Sequence, residues 1–271
     1  MEDYLIHTKN SFDQIADTFD EEDRSNEILQ WMRDTVYEIY LRDFKKGDRL
    51  LELNAGTGID AVFLSRKGLK IFATDISDNM IDILNEKITL QGLGNKVQAK
   101  KLSFNEIVNL NEKDFDGIIS NFGGLNCINN FSNLSESLAA KVKPGGKFVA
   151  SVMNSICPWE ILYFLLKFDA ENAFRRFNKA GIDANLSKFK IKSFYFTPKE
   201  FAKHFKKYFT VKKIYSLGLF TPSPYLHGIY KKIPGIVNVF MEIDNLIKGT
   251  FPFNRFGDHF VIVLERKSFS G

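Results

Sequence analysis

The stretch that decides the fold is LLELNAGTGID, residues 50–60. The apolar run before the glycines predicts a short buried strand, and Gly56 and Gly58 predict a tight turn into a helix that begins near Asp60. Such a helix directs its free N–H groups at whatever the loop holds. Asn54 occupies the place of the usual first glycine of such a loop. Asparagine is the non-glycine residue that best tolerates positive φ, so we expect the turn to be kept.

Strand-like and helix-like segments alternate around this loop. Residues 26–44 predict an amphipathic helix, and further helices are predicted from Ser77 and over 132–142. The predicted strands after the first are LKIFATD (69–75), KVQAKKL (96–102), FDGIISNFG (115–123) and KFVASVMN (147–154). This alternation predicts a parallel sheet with helices on both faces, and a ligand site beyond the carboxyl ends of the strands.

The regular alternation of predicted strands and helices ends after Asn154. An apolar helix is predicted at PWEILYFLLKF (158–168), then a basic, irregular stretch to Ser193, and a helix with a capping box from Thr197. VKKIYSLGLF (211–220) and HFVIVLERK (259–267) predict the last two strands. The fold class expected is therefore α/β, with a Rossmann-like, seven-stranded, mostly parallel sheet whose last strand is antiparallel.

One domain is expected over residues 1–271. Its parts are the alternating strands and helices over 48–154, the acidic segment 1–25 before them, and insertions over 155–195 and 220–258. The second insertion carries four prolines, too many for regular sheet.

Composition bounds the class of protein. Apolar residues make up 44% and charged residues 26% of the 271, with a net charge of +4, which are ordinary globular values. The sequence shows no basic-then-apolar leader and no apolar run of membrane-spanning length, so we expect a cytoplasmic protein. Two cysteines, Cys127 and Cys157, make no disulfide framework, and no metal-ligand spacing surrounds them.

Residues 175–213 are the one strongly basic stretch. They hold 12 bases against 2 acids, with nine Phe or Tyr interleaved, so they could bind a polyanion such as RNA or DNA. Phe201, Phe205 and Phe209 fall on one face of the capped helix, however, and core packing explains them. The lysines would then point to solvent, and nucleic acid is the less favoured partner.

An acidic residue at the end of the second predicted strand limits the kinds of ligand that the glycine loop could bind. Asp75 lies 17 residues beyond Gly58, where a carboxylate can accept both hydroxyls of a ribose. The dinucleotide fingerprint G-x-G-x-x-G is absent, since Ala61 stands at its third glycine. Glu52 and Asp60 beside the turn would repel a pyrophosphate and suit a sulfonium or an amino group. A tight turn without a ligand remains the alternative.

Taken together, residues 48–154 resemble the class I S-adenosylmethionine-dependent methyltransferases of the small-molecule type. The resemblance rests on the order of the E-x-N-x-G-x-G loop, the acid after the second strand, FDGIISNFG and KPGGKFVAS (143–151). FDQIADTFD (12–20) is similar to the N-terminal lid of that group, and GDHFVIVLERK (257–267) resembles its last strand. The resemblance implies a cofactor-binding core over 48–154, an N-terminal lid over 1–25 and substrate-cap insertions over 155–195 and 220–258.

The resemblance implies S-adenosyl-L-methionine as cofactor and S-adenosyl-L-homocysteine as product. Glu52 would approach the methionine amino group, Asp75 would take the ribose hydroxyls, and Ser103 would replace the usual acid at the adenine amino group. The implied cofactor-binding residues are Glu52, Asn54, Ala55, Gly56, Thr57, Gly58, Asp75, Ile76, Met80, Ser103, Phe104, Asn121 and Phe122.

The sequence signals for catalytic and acceptor-binding residues are weaker than those for the cofactor-binding residues. Methyl transfer demands alignment above all, and a base helps only when the acceptor must lose a proton. The candidate bases are His227, His259 and Tyr195; the candidate acceptor-binding residues are Phe19, Asn126, Trp159, Arg175 and Tyr225. A packing or surface role stays open for each of them.

Aromatic residues in the cap segments favour a small, hydrophobic or aromatic acceptor, methylated on oxygen, nitrogen or carbon. Two alternatives remain, namely an RNA or DNA methyltransferase using residues 175–213, and a cofactor-binding protein without catalysis. The sequence does not indicate an oligomeric state.

Overall fold

The computed structural model describes residues 3–186 and 189–268, and its centre is a seven-stranded sheet. The strands of the described chain, in order, are β1 Arg49–Leu53, β2 Lys70–Asp75, β3 Val97–Lys101, β4 Phe115–Ser120, β5 Val142–Met153, β6 Ile182–Leu186, β7 Phe189–Ser193, β8 Phe209–Leu217 and β9 His259–Arg266. The order across the sheet is β3-β2-β1-β4-β5-β9-β8, and β6 pairs with β7 as a separate hairpin.

Strand directions confirm the predicted topology. Strands β3, β2, β1, β4 and β5 pair in parallel, while β9 is antiparallel to both β5 and β8. The strand order reverses between β1 and β4, where Leu53 lies opposite Ser120. The glycine loop after β1 and the segment after β4 are therefore neighbours, at the place where sheets of this kind bind ligands.

Helices cover both faces of the sheet. Their bounds are α1 Asp3–Arg24, α2 Glu27–Asp43, α3 Ile59–Arg66, α4 Asp78–Leu90, α5 Ser132–Lys141, α6 Pro158–Leu165, α7 Ala170–Phe174, α8 Pro198–Phe205, α9 His227–Lys232 and α10 Pro234–Ile247. Helices α5 and α8 pack on one face, and α2, α3 and α10 pack on the other. No helix in the described ranges is both long and apolar enough to span a membrane.

Local sequence explains the helix starts. Asn26 caps α2 by accepting from the Leu29 N–H, Ser77 caps α4 by accepting from the Met80 N–H, and Thr197 forms the predicted capping box with Glu200 at α8. These side chains satisfy N–H groups that a helix leaves unpaired in its first turn.

Two segments differ from the prediction. The stretch up to Ser193, predicted as irregular, contains α7 and the β6–β7 hairpin. The Lys143–Gly146 segment, whose proline and two glycines are typical of a turn before the strand predicted from Lys147, lies inside β5, because Val142 already pairs with Phe115 across a register shift in β4. The proline-rich insertion over 220–258 contains no strand, as predicted, and forms α9 and α10, with Pro234 in the first turn of α10, where its missing N–H costs nothing.

Candidate active site

The glycine loop adopts the backbone that its sequence predicts. Asn54 has φ 47°, Gly56 has φ 54° and Gly58 has φ 79°. Only glycine fits at the last position, because a Cβ there would lie 2.1 Å from a methyl carbon of Leu84 in α4. The loop therefore packs closely against α4 at Gly58. Asn54 adopts the left-handed backbone conformation that asparagine tolerates.

The side chain of Asn54 also joins two strand ends. Its Nδ2 donates to the carbonyl of Asn121 at 2.7 Å, and its Oδ1 accepts from the hydroxyl of Ser120. A Cβ on Gly124 would meet this side chain at 2.2 Å, so the segment after β4 packs directly on it. Asparagine therefore locks the loop after β1 to the loop after β4, which a glycine could not do.

A cavity lies beyond the carboxyl ends of β1, β2 and β4. Among its lining residues are most of those expected to bind the cofactor, together with Phe19 from the predicted acceptor set: Phe19, Glu52, Asn54, Ala55, Gly56, Asp75, Ile76, Met80, Ser103, Phe104, Asn121 and Phe122. Asp60, which the sequence placed beside the loop as an acid suited to a cation, also lines the cavity. The other lining residues were not among the expected site residues: Leu5, Thr8, Phe12, Arg33, Ile59, Leu102, Asn105, Gly124, Cys127 and Ile128.

Two buried carboxyl groups face this cavity. Glu52 is 3% exposed, and its Oε2 has no hydrogen-bond partner among the described residues. Burial, and then the charge of Asp60, raise the pKa of Glu52 well above its ordinary value. Asp75 accepts from the backbone N–H groups of Gly56 and Ser77, both at 2.9 Å, and burial raises its pKa as well. A cation in the cavity would stabilise both groups in the ionised form.

Arg33 neutralises a third acid at the cavity wall. Its guanidinium donates to Asp23 in α1 and to Asp60 in α3, and it lies 4.9 Å from the ring centre of Phe122. Asp60 also accepts from the Tyr37 hydroxyl and from the Asn121 amide, each at 2.8 Å. Asp60 therefore has an ion pair and two further hydrogen bonds, whereas no described side chain bonds to the Oε2 of Glu52.

Helix α1 covers the cavity. Asp13 accepts from the Ser77 hydroxyl at 2.6 Å, and Asp20 accepts from the Thr57 hydroxyl and from Lys87. The lining residues that α1 contributes are Leu5, Thr8, Phe12 and Phe19. The helix thus holds to the glycine loop and to α4, which is the position expected of a lid; its opening stays a prediction.

The three candidate bases lie outside the cavity wall. His227 pairs with Glu27 at the start of α2. His259 bonds through Nδ1 to Asp258 at 2.7 Å, and its ring meets the cavity residue Phe122 edge-on at 5.8 Å. Tyr195 is buried beneath the guanidinium of Arg176. None of them contacts the space where a cofactor would lie.

Four of the candidate acceptor-binding residues also lie outside the cavity wall. The Asn126 amide bonds to the backbone of Met153 and Phe194, and Trp159 belongs to α6. Arg175 and Tyr225 both bind the carboxylate of Glu160, each at 2.8 Å. Two loop residues that were expected to bind the cofactor, Thr57 and Gly58, do not line the cavity. The Thr57 hydroxyl donates to Asp20 of α1 instead.

Residues 22–208, more than half of the chain, match the family model of the methyltransferase domain. The chain is a class I S-adenosylmethionine-dependent methyltransferase. Its fold and the position of its glycine loop agree with that membership.

The methyltransferase has curated relatives among the demethylmenaquinone methyltransferases. It is 28% identical over 160 residues to the demethylmenaquinone methyltransferase of Tropheryma whipplei, and 27% identical over 158 residues to that of Corynebacterium glutamicum. These segments cover 54% and 55% of this chain, and 62% and 64% of the relatives. The match therefore spans about three fifths of their length.

Solved structures share the fold at low identity. A complex of the Haloferax volcanii Trm112 methyltransferase activator with a candidate methyltransferase superposes with a TM-score of 0.61 and 16% identity, covering 97% of this chain and 99% of that one. A Methanosarcina mazei S-adenosylmethionine-dependent methyltransferase gives 0.55 and 16%, covering 85% and 98%. The [4+2]-cyclase SpnF gives 0.55 and 14%, covering 88% and 81%, so the fold alone does not fix the reaction.

The cavity of the methyltransferase fits the cofactor of its family. The unpartnered oxygen of Glu52 suits the positive charge of a methionine ammonium or sulfonium group. Each oxygen of Asp75 keeps a lone pair beside its backbone bond, which suits ribose hydroxyls. The Ser103 hydroxyl donates to Glu106 at 2.6 Å, so it can only accept from a ligand, as an adenine amino group requires.

Sequence reasoning missed Arg33 for a physical reason. Its partners Asp23 and Asp60 lie 10 and 27 residues away along the chain, so no spacing pattern marks the contact. A charged residue beside the apolar positions of an amphipathic helix was the only available signal.

Proposed function

We propose that the methyltransferase transfers the methyl group of S-adenosylmethionine to a small, apolar or aromatic acceptor, of which a quinol ring is the first candidate. The observation that carries the proposal is Glu52, a buried carboxyl with an unpartnered oxygen that faces the cavity beside the glycine loop. Such a group costs folding free energy unless a cation binds it.

The cofactor would lie along the loop. Its methionine end would face Glu52 and Asn121, its ribose would bond to Asp75, and its adenine would lie between Ile76 and Met80. Support for this orientation comes from the order of these residues along the cavity wall, from the end of β4 to the ends of β1 and β2. When bound, the cofactor supplies an electrophilic methyl group on a positively charged sulfur.

Two findings support an apolar acceptor. The cavity wall outside the acids is largely hydrocarbon, with side chains from α1 and from the segments after β3 and β4: Leu5, Phe12, Phe19, Leu102, Phe104 and Ile128. The curated relatives, moreover, are named for demethylmenaquinone. A small aromatic ring would be held against the methyl group by such walls, and that alignment is the main demand of the displacement.

A nucleic acid acceptor has less support. The aromatics of the basic stretch that could stack on bases, Phe201, Phe205 and Phe209, are at most 2% exposed and pack on Phe131 and Phe148. Among the described residues of this stretch, surface lysines, Arg175 and the 41% exposed Phe177 remain available to a polyanion, and none of them lines the cavity.

A single experiment tests the acceptor class. The purified protein is incubated with methyl-labelled S-adenosylmethionine and, in separate reactions, a reduced naphthoquinone, a lipid extract and tRNA. Label in the naphthoquinone or in an extracted apolar compound is expected, and it should fall at least tenfold with Glu52→Gln, as loss of about 1.4 kcal/mol requires. Label only in tRNA would overturn the proposal. Cofactor binding without any labelled product would favour a non-catalytic protein.

A further inference from the structure

A second, open groove lies between α8 and the edge strand β8. Its lining includes five cationic side chains, and no described carboxylate takes part in the wall: Lys199, Lys203, Lys206, Arg255 and Lys267. Apart from Arg255, these cations are exposed or half-exposed lysines, and within the described chain none of the five forms an ion pair. The groove is separate from the cofactor cavity and shares no lining residue with it.

Helix α8 alone does not explain this arrangement. Lysines in its last turn suit the negative end of the helix dipole, but Lys199 lies in the first turn, where a cation is disfavoured. Arg255 comes from the segment before β9 and Lys267 from the segment after it. Three separate segments therefore bring positive charge to one groove, and a bound anion would lower the repulsion among these side chains.

The floor of the groove is apolar. Its side chains come from α8, from β8 and from the segments that flank α6 and β9: Ile156, Ala202, Phe209, Val211, Ile214 and Phe256. At its edge Phe251 is 74% exposed, so the apolar surface of the floor continues to solvent. A hydrocarbon floor beneath a cationic rim complements a molecule with an anionic head and an apolar tail.

We propose that this groove binds an anionic phospholipid and so holds the methyltransferase at a membrane surface. The headgroup phosphate lies on the lysines of α8, and part of an acyl chain lies on the floor along β8. Peripheral binding of this kind needs both an apolar contact and cationic residues near anionic lipid. The inference is independent of the acceptor proposed above, because the groove and the cavity are different sites.

Co-sedimentation with vesicles tests the proposal. The wild-type protein is mixed with vesicles of phosphatidylcholine alone and with vesicles that also contain phosphatidylglycerol. We expect binding to the anionic vesicles only, weakening as salt is raised. The triple variant Lys199→Gln, Lys203→Gln, Lys206→Gln should lower the partition coefficient at least about tenfold. Val211→Asp, which places a carboxylate on the exposed floor, should weaken binding while every lysine is kept.

The matched control removes the same number of charges elsewhere. Lys45, Lys100 and Lys113 are exposed and far from the groove in the sequence, and their triple change to glutamine should alter binding less than about twofold. Equal losses in both triple variants, or no wild-type binding to anionic vesicles, would overturn the proposal. So would tighter binding of a single-stranded RNA that depends on the same three groove lysines. Unchanged S-adenosylmethionine affinity in every variant shows that the fold is intact.

Discussion

At the scale of single residues, Glu52 carries opposite consequences for stability and for binding. Replacing it by glutamine removes a buried ionisable carboxyl whose charge Asp60 disfavours, so the free energy of unfolding of the cofactor-free protein at neutral pH should increase. The same change should weaken S-adenosylmethionine binding at least tenfold, because the ligand loses an ionic partner. Denaturant unfolding and calorimetry measure the two effects, with exposed Glu86→Gln as the control. A loss of stability would contradict this role of Glu52.

Asp75 gives the second prediction at this scale. Asp75→Asn keeps the shape but exchanges a charge-assisted acceptor for an amide, at a cost of roughly 2–3 kcal/mol in cofactor affinity. Asp78→Asn is the control, since Asp78 lies three residues later and pairs with lysines at the surface. Calorimetry that finds unchanged affinity for Asp75→Asn, or tighter binding of NAD to the wild type, would remove the ribose assignment.

The sequence could predict this part of the site because its residues are fixed by backbone rules. The positive φ of Asn54 and the close approach at Gly58 follow from residue type and strand order alone. The bridge that Asn54 builds to Ser120 and Asn121 could not be predicted, because it joins loops that are 66 and 67 residues apart. The ion pairs of Arg33 were hidden for the same reason.

At the scale of elements, α1 acts as one unit on the cofactor cavity. Asp20 binds both the Thr57 hydroxyl and Lys87, so it fastens the helix to the glycine loop and to α4. Asp20→Asn should increase hydrogen exchange in α1 and raise the Kd of the cofactor several-fold. Asp17→Asn, on the exposed side of the same helix, should change neither quantity. Equal exchange in both variants would contradict the role of α1 as a lid.

The elements that the sequence predicted best are those with local signals. Capping residues and 3.6-residue periodicity located α2, α4 and α8, and apolar runs located the strands of the sheet. The β6–β7 hairpin was missed, although FKIKS (189–193) alternates apolar and basic residues. Its position depends on packing against α1 and on the bond from the Phe194 N–H to Asn126, which are long-range contacts.

At the scale of the whole molecule, Arg176 joins the two cap insertions to the end of the sheet. Its guanidinium, 5% exposed, donates to Glu160 of α6 at 2.7 Å and to Asp258 before β9 at 2.6 Å. Arg176→Ala removes the buried cation that the two carboxylates share, although Glu160 keeps Arg175 and Asp258 keeps its bond to His259. The change should cost about 3–5 kcal/mol of unfolding free energy. Arg175→Ala, which breaks a more exposed pair with the same Glu160, should cost about 1 kcal/mol or less. Similar losses in the two variants would show that Arg176 has no special structural role.

The dependence of stability on pH should separate this structural cluster from the active site. Burial alone would raise the pKa of Asp258 and Glu160, but Arg176 lowers both, so their contribution is present at neutral pH and is lost in acid. Glu52 and Asp75 have raised pKa values in the folded state, so they behave in the opposite way. Their contribution lowers stability as the pH rises from the ordinary carboxyl value, about 4, to the raised value.

A cationic cofactor reverses only the second effect, because it favours the ionised form of the cavity acids. The stabilisation that saturating S-adenosylmethionine provides should therefore increase with pH over that window. In Glu52→Gln this increase should be smaller, while the acid limb that depends on Asp258 and Glu160 should be unchanged. Denaturant unfolding from pH 4 to 8, with and without the cofactor, measures both. The same rise in cofactor stabilisation in Glu52→Gln and wild type would show that Glu52 does not face the bound cation.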